Sequence, residues 1–586
     1  MGFGHYLWFI TFLYVSYSNG EEKLKLLTDN NEYQMLPPRI FLPIIARNVE
    51  HSLPNWLGCL ERLDYPKDRI YLWIRSDHNL DHTASLLHMW VKNVRFLYHG
   101  IDINTTNIND SYSDSVTVNH WSPLRFKRLI HLRQTALEEA RRLWADYILF
   151  LDCDVFLTNP STLWSLIEQR KTIVSPMIPS FVKKAAYSNF WCGRDEKGYY
   201  MRTDDYLPIL KRQNVGCHEV VMLHSVMLID VRRAATRKLY YDPEGSSYDG
   251  PYDDVMVFAH SVKEAGLKFY VLNKEPYGNL IQPVSWRSSL HYTQMKFQHT
   301  KLELIVDDIE MVESAYLPVA YPIADKAGFD EVFVINLARR PDRRKKMKLS
   351  LQLLGINATF VDGYDGKRVS DEEIDNLGIQ VLDGYADPYH GRPVTKGEIG
   401  CFMSHFLIWE KMVRENLKVV MLLEDDIRFE LDFRKKLNNV MKEAQKLEWD
   451  FMYLGRKLVN EQARDMYIPD VKLLVRPGYS WWTLGYVITL EGAKKLLAPN
   501  PLQRFVPVDE YIPIMFDQHP EKDWVAQFEV RDLIALSASP YVLYPTHYIG
   551  DEGYFSDTET STFAPRSNKT NEKTDDSGAP SSKAEL

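Results

Sequence analysis

Two short acidic clusters carry the clearest chemistry in this 586-residue sequence: Asp152-Cys153-Asp154 and Glu424-Asp425-Asp426. Carboxylates one or two residues apart suit a hard cation such as Mg²⁺ or Mn²⁺ that also touches phosphate oxygens. Such a cation brings the charge that stabilises a leaving diphosphate, and Asp152 and Asp154 are placed to hold it. In the second cluster, like charges so close are costly unless a cation or a base shares them, which gives at least one of the three acids a ligand role. The competing reading at both places is a strand-end turn with solvated acids.

Other residues offer less. Tyr252-Asp253-Asp254 precedes a helical pattern, so either Asp is a helix N-cap or a general base. Val508-Asp509-Glu510 holds the corresponding place further on, with the same two readings. His291 and His547, near the ends of the two regions, are candidates for a late metal ligand or for plain structural histidines. The basic run Arg339–Lys346 either faces a diphosphate or starts a solvated helix. The stretch from Tyr479 to Tyr486 is aromatic enough to stack a sugar or base, with half of it expected in the core. No Gly-x-Ser-x-Gly elbow, P-loop or His-Glu-x-x-His is present, which removes several hydrolase and nucleotide-triphosphatase readings.

The elements that must position the acids are strands. Each cluster follows five apolar residues, Tyr147–Leu151 and Val419–Leu423, the pattern of a strand buried on both faces of a parallel sheet. In open α/β sheets the ligand crevice lies at the carboxyl ends of such strands. Strands are expected at 39–46, 70–74, 331–337, 358–361 and 450–454, and helices at 55–63, 124–143, 347–354 and 397–413. This alternation implies two α/β units, 38–300 and 328–550, joined by a connector at 301–327.

Length alone argues for several domains, and 45% apolar with 25% charged residues is ordinary globular composition. A net charge of −9 argues against a nucleic-acid partner. The apolar stretch Gly4–Val15, followed by Ser18 and Gly20, reads as a signal peptide cleaved after residue 20, and no segment is long enough for a stable membrane span. The final Lys583-Ala584-Glu585-Leu586 differs at one position from the Lys-Asp-Glu-Leu retrieval signal. Together these ends place the chain in the endoplasmic reticulum lumen, held by the retrieval receptor. Residues 557–586 have the composition of a disordered arm. Asn104, Asn109, Asn357 and Asn568 are glycosylation acceptors in that compartment. Five cysteines without a CxxC pair argue against zinc; Cys192 and Cys217 are candidates for a disulfide, and Cys153 for buried packing.

Phe333-Val-Ile-Asn-Leu337 with Arg339-Arg-Pro-Asp-Arg-Arg344 resembles the opening motif of glycosyltransferase family 25. Lys396-Gly-Glu-Ile-Gly-Cys-Phe-Met-Ser-His405 and Leu423-Glu-Asp-Asp-Ile427 resemble the next two motifs, in the family's order. The two-unit layout and the two ends are similar to the animal procollagen galactosyltransferase branch. That resemblance implies two tandem GT-A-like, Rossmann-related domains, each a mostly parallel sheet flanked by helices. It implies an inverting, Mn²⁺-dependent transfer of galactose from UDP-galactose to hydroxylysine of collagen. On this basis Asp152, Asp154 and Asp426 are metal ligands, and Arg340, Arg343, Glu424 and Asp425 surround the donor. Asp509, Glu510, Asp253 and Asp254 are the base candidates. A transferase-like adhesion or binding protein without catalysis is the alternative.

Overall fold

The computed structural model describes residues 36–548 apart from 107–109, 183–185, 197–198, 389–390 and 460–463, together with Thr558. The expected signal peptide, the expected C-terminal arm other than Thr558, Asn109 and Asn568 lie outside the described residues. The described residues divide into two compact units, the first within Met1–Leu304 and Asp308–Ala320, the second within Ile305–Asp307 and Tyr321–Leu586.

The first unit is built on an eight-stranded sheet in the order Cys217–Val220, Phe269–Leu272, Ile173–Pro176, Val226–Asp230, Tyr147–Leu151, Ile40–Ala46, Ile70–Ser76 and Gly100–Thr105. The second unit has its own eight strands: Met466–Tyr467, Leu474–Arg476, Ala535–Ala538, Phe451–Leu458, Ser480–Thr489, Val419–Leu423, Glu331–Asn336 and Thr359–Asp362. Six strands of each sheet correspond in chain order, neighbours and direction. In both, the acid-bearing strand runs parallel to the unit's first strand on one side. On its other side it runs antiparallel to a later strand, Val226–Asp230 or Ser480–Thr489. The sheets are therefore mixed, with six of the eight strands in each running in one direction, and of α/β class.

Burial explains the apolar runs. Tyr147, Leu149 and Leu151 pack into one core cluster while Ile148 and Phe150 pack into another, because successive strand residues point to opposite faces. Each fully buried aliphatic side chain of this kind contributes roughly 1.5–3 kcal/mol. The same alternation separates Cys217, which packs against the first cluster, from Cys192, which packs against the second. The candidate disulfide is accordingly not formed, and all five cysteines are free. Cys153 is buried, its Sγ 3.8 Å from the Ile45 carbonyl oxygen.

The helices before the acid strands are Pro123–Arg142 and Lys396–Glu415. The second starts in a capping box: Thr395 accepts from the Glu398 amide at 3.0 Å and Glu398 accepts from the Thr395 amide at 2.7 Å. Gly400 lets this helix press against the turn at 364–366, since a Cβ there would lie 2.3 Å from the Tyr364 carbonyl oxygen. No helix among the described residues is long and apolar enough to cross a membrane.

Candidate functional site

The two acidic clusters occupy the same station in the two units. The Asp152 amide donates to the Ser225 carbonyl (2.8 Å) and the Glu424 amide to the Leu484 carbonyl (3.0 Å), extending each ladder one residue beyond the strand. The chain then turns into a short strand, Val155–Phe156 or Ile427–Phe429, paired with Asn279–Leu280 or Leu543–Pro545. The Asp154 carbonyl accepts from the Ile281 amide (2.9 Å) and the Asp426 carbonyl from the Thr546 amide (2.8 Å). Both third acids are fixed in the same tight loop.

In the second unit the facing strand supplies the remaining geometry through a bulge. Gly485 pairs with Gly455 and Trp481 with Lys457, so residues 482–484 face the single Arg456. Trp482 takes the left-handed conformation there, φ +73°, which is costly for a bulky residue and typical of bulges beside functional sites. The bulge turns the Thr483 hydroxyl onto Glu424 and the Trp482 amide onto the Asp509 carboxylate. Asp425 accepts from Asn336 Nδ2 (2.6 Å) and Arg343 (3.1 Å), and Asp426 accepts from the same guanidinium group (3.1 Å). Arg343 lies on the helix Pro341–Leu354, so the basic run places one cation directly among the acids. Arg340 is the N-cap residue of that helix, and its carbonyl accepts from Asn336 Nδ2 at 3.0 Å.

Electrostatics distinguish the acids. Burial pushes the Asp426 carboxyl up to about 7, Arg343 opposing and Glu424 and Asp425 adding to the rise. Burial likewise raises Asp509 to about 7, with the Glu424 charge adding to it. Glu424 is also pushed up by burial, but hydrogen bonds from His405 and Thr483 pull it below the usual range. His405 Nε2 stands 3.5 Å from Glu424 Oε1, and its Nδ1 is 2.9 Å from the Tyr486 hydroxyl. Asp426 Oδ1 and Asp509 Oδ1 are both buried without a hydrogen-bond partner. Orphaned buried carboxylate oxygens are costly, and a divalent cation supplies the missing partner. The residues of this cluster therefore fit such a group.

Glu510, next in the chain, belongs to a different network. It accepts from the Tyr479 hydroxyl (2.6 Å) and sits 2.9 Å from His519 Nε2, all within the core. Of the aromatic run, Tyr479, Leu484 and Tyr486 are buried, while Trp481 and Trp482 remain partly open to solvent.

In the first unit burial raises Asp154 to about 7, with Asp152 adding to the rise, and its Oδ1 also lacks a partner. Asp152 is paired with Arg133 Nη2 at 2.9 Å. Asp253 is a helix cap, accepting from the Val255 and Met256 amides at 2.9 and 3.0 Å. Asp254 is buried, its Oδ2 2.9 Å from Arg133 Nε in a contact poorly aligned for a hydrogen bond. A cavity of about 220 Å³ opens beside the cluster, lined among others by Arg47, Asp77, Arg125, Arg128, Asp152 and Asp154. His291 is exposed on the helix Leu290–Val306, whereas His547 directly follows Thr546, whose amide binds the Asp426 carbonyl. Asn104 and Asn357 are exposed.

Sequence reasoning missed Arg133, Thr483 and the cavity arginines. Arg133 carries no signal, being one of several basic residues on its helix. Thr483 follows from the aromatic run only once the bulge is known.

Residues 37–301 match the model described as glycosyltransferase family 25, N-terminal domain, and 329–512 that described as glycosyltransferase family 25 (LPS biosynthesis protein). The chain is 44% identical over 532 residues to procollagen galactosyltransferase 1 of Danio rerio, covering 90% of this chain and 88% of that one. It is 44% identical to the human procollagen galactosyltransferase 2, covering 91% and 85%. It is 46% identical to the human inactive glycosyltransferase 25 family member 3, covering 89% and 88%. Among solved structures, a mannosyltransferase of Pyrobaculum calidifontis with GDP-Man and Mn²⁺ aligns over 51% of this chain and 72% of its own, at 12% identity and a TM-score of 0.27.

Proposed function

The chain belongs to glycosyltransferase family 25 and is a hexosyltransferase; from that premise we propose that it transfers galactose from UDP-galactose to hydroxylysine of collagen or collagen-like chains, and that the second unit performs the transfer. One observation carries this reading: Asp426 and Asp509 both keep a buried, unpartnered carboxylate oxygen within a single acidic cluster. An inverting transfer needs a cation subsite for the diphosphate and a separate carboxylate base for the acceptor hydroxyl, and this pair offers both.

Asp426, with Glu424 or Asp425 and His547 within reach of the same loop, would hold a divalent cation, for which we propose Mn²⁺. When bound, that cation neutralises the charge developing on departing UDP. Arg343 and Arg340 stand at the start of the helix Pro341–Leu354, where the helix dipole also favours a diphosphate. Thr483 and His405 hold Glu424 by hydrogen bonds. Asp509 takes the proton from the attacking hydroxyl; its carboxyl, raised to about 7, is matched to proton transfer near neutral pH. Trp481 and Trp482 offer faces for a sugar ring. Asp152 and Asp154 would hold a second cation and diphosphate in the first unit. The signal peptide, the C-terminal tetrapeptide and the acceptor asparagines support a lumenal address in the endoplasmic reticulum, with the retrieval receptor as partner.

The test is transfer itself. Purified protein with UDP-galactose, Mn²⁺ and a hydroxylysine-bearing collagen peptide should give galactosyl-hydroxylysine with a β linkage. No transfer where a control enzyme works overturns the reading and leaves a binding protein of the same fold.

A further inference from the structure

A cysteine and a histidine of the second unit meet the first acid of its cluster. Cys401 and His405 lie four residues apart on the helix Lys396–Glu415, and so share one face of it. That face meets the end of the strand Val419–Leu423, where Glu424 begins the acids. The Cys401 Sγ, a ring nitrogen of His405 and a Glu424 oxygen all lie within 4.8 Å of one another. His405 is buried and its ring is held from behind. Its Nδ1 is 2.9 Å from the Tyr486 hydroxyl oxygen, which also accepts from the Trp409 indole N–H at 3.0 Å. Nε2 is thereby aimed at Glu424, 3.5 Å from Oε1. A metal-binding imidazole characteristically has such a partner on its other nitrogen. Cys401 is only half-buried, so the trio is not sealed from solvent.

Ligand chemistry separates this trio from the carboxylates beside it. Oxygen donors alone, as in Asp426 and Asp509, suit Mn²⁺. Thiolate with imidazole selects Zn²⁺, which also stands above Mn²⁺ in the general affinity order. Tetrahedral Zn²⁺ holds sulfur at about 2.3 Å and nitrogen or oxygen at about 2.0–2.2 Å, so the three donors must close to about 3.5 Å from one another. Side-chain rotation covers that distance. On binding, the thiol proton leaves to water, the neutral imidazole keeps its proton on Nδ1 facing the Tyr486 oxygen, and water fills the fourth position. The absence of a CxxC pair argues only against zinc sites built from paired cysteines; here the cysteine's partner is a histidine one turn on. We propose that Cys401, His405 and Glu424 form a site for a thiophilic divalent cation, Zn²⁺ above all, and that filling it inhibits transfer. Ligation draws Glu424 away from the Thr483 hydroxyl and puts a second dication beside Asp426 and Asp509, both within range of the Glu424 charge. The inhibition rests on the reading above, which assigns transfer to the second unit.

Co²⁺ added to the full-length, metal-free protein should produce the thiolate-to-metal charge-transfer band that oxygen ligands alone cannot give, and Zn²⁺ should bleach it by displacement. Cys401→Ala should abolish the band while leaving Mn²⁺ affinity and zinc-free transfer within about twofold of the unmodified protein. In the collagen-peptide assay, Zn²⁺ should inhibit the unmodified protein at concentrations at least about tenfold below those that inhibit Cys401→Ala, and added Mn²⁺ should relieve the inhibition. No band, a band that survives Cys401→Ala, equal inhibition of the two proteins, or inhibition indifferent to Mn²⁺ overturns the proposal. Should Cys401→Ala fail to fold, Cys401→Ser, closer in volume and a poor zinc ligand, makes the same comparison. Failure of the galactosyl reading alone looks different: neither protein transfers galactose, yet the cobalt band forms, is lost with Cys401, and by itself decides the site.

Discussion

Asp154 and Asp426 are structural counterparts: each carbonyl accepts the amide of a late residue, Ile281 or Thr546, and each carboxylate keeps one buried oxygen unpaired. Two loops of the same shape, each short of one positive partner, call for two cations. Asp154→Ala and Asp426→Ala should each remove one Mn²⁺ equivalent per chain, or weaken it by at least about tenfold. Only Asp426→Ala should abolish transfer. Equilibrium dialysis with the collagen-peptide assay reads both, and unchanged metal stoichiometry in either variant counts against the assignment.

Cation binding must also compete with protons. Burial holds Asp154, Asp426 and Asp509 near 7, well above the usual carboxylate range near 4. Between those values the folded chain binds protons that the unfolded chain has released, so stability without metal falls as pH rises through that window. Mn²⁺ displaces the protons and binds only the folded form. The unfolding temperature of metal-free protein should drop from pH 5 to pH 8, and the increment from Mn²⁺ should grow over the same range. A metal increment independent of pH argues against protonated ligands.

The strand ends were legible in the sequence because the apolar run and the acids that follow it are contiguous. The helix expected at 397–413 and the strand expected at 331–337 were legible too, the strand through its aliphatic content, whereas the capping box that starts the helix came only with the structure. What sequence could not give was side-chain direction and distant pairing. Asp509 and Glu510 are neighbours on one helix, about 100° apart around its axis, and only packing decides that one joins the acidic cluster and the other the core. The antiparallel strands at 226–230 and 480–489 were hidden for a related reason. Flanked on both sides, they are as apolar as the parallel strands beside them, so composition does not record their direction. Arg133 was invisible because its partners are remote in sequence.

Glu510 should behave as a structural residue. Its carboxylate satisfies the Tyr479 hydroxyl, which in turn accepts from the Trp481 indole at 2.8 Å, and it contacts His519. Glu510→Ala leaves those buried groups unpaired, a loss of about 1–3 kcal/mol. For a domain of this size that lowers the unfolding midpoint by about 2–4 °C per kcal/mol. Calorimetry checks the stability, and a Glu510→Ala protein with an unchanged midpoint but no turnover would falsify the structural role.

Asp509 carries the opposite expectation. Its carboxylate accepts from the Trp482 amide at the bulge, while Oδ1 stays free. Asp509→Asn preserves shape and the amide contact but removes the proton acceptor. Transfer should fall by about 10²–10⁴-fold in kcat, with UDP affinity and the unfolding midpoint unchanged. In the unmodified enzyme kcat should decline about tenfold per pH unit below 7, because the carboxyl held near that value is then protonated and cannot accept the hydroxyl proton. Steady-state kinetics from pH 5 to 8 with saturating donor and metal test this directly. An acid limb that persists unaltered in the residual activity of Asp509→Asn assigns the base to another residue.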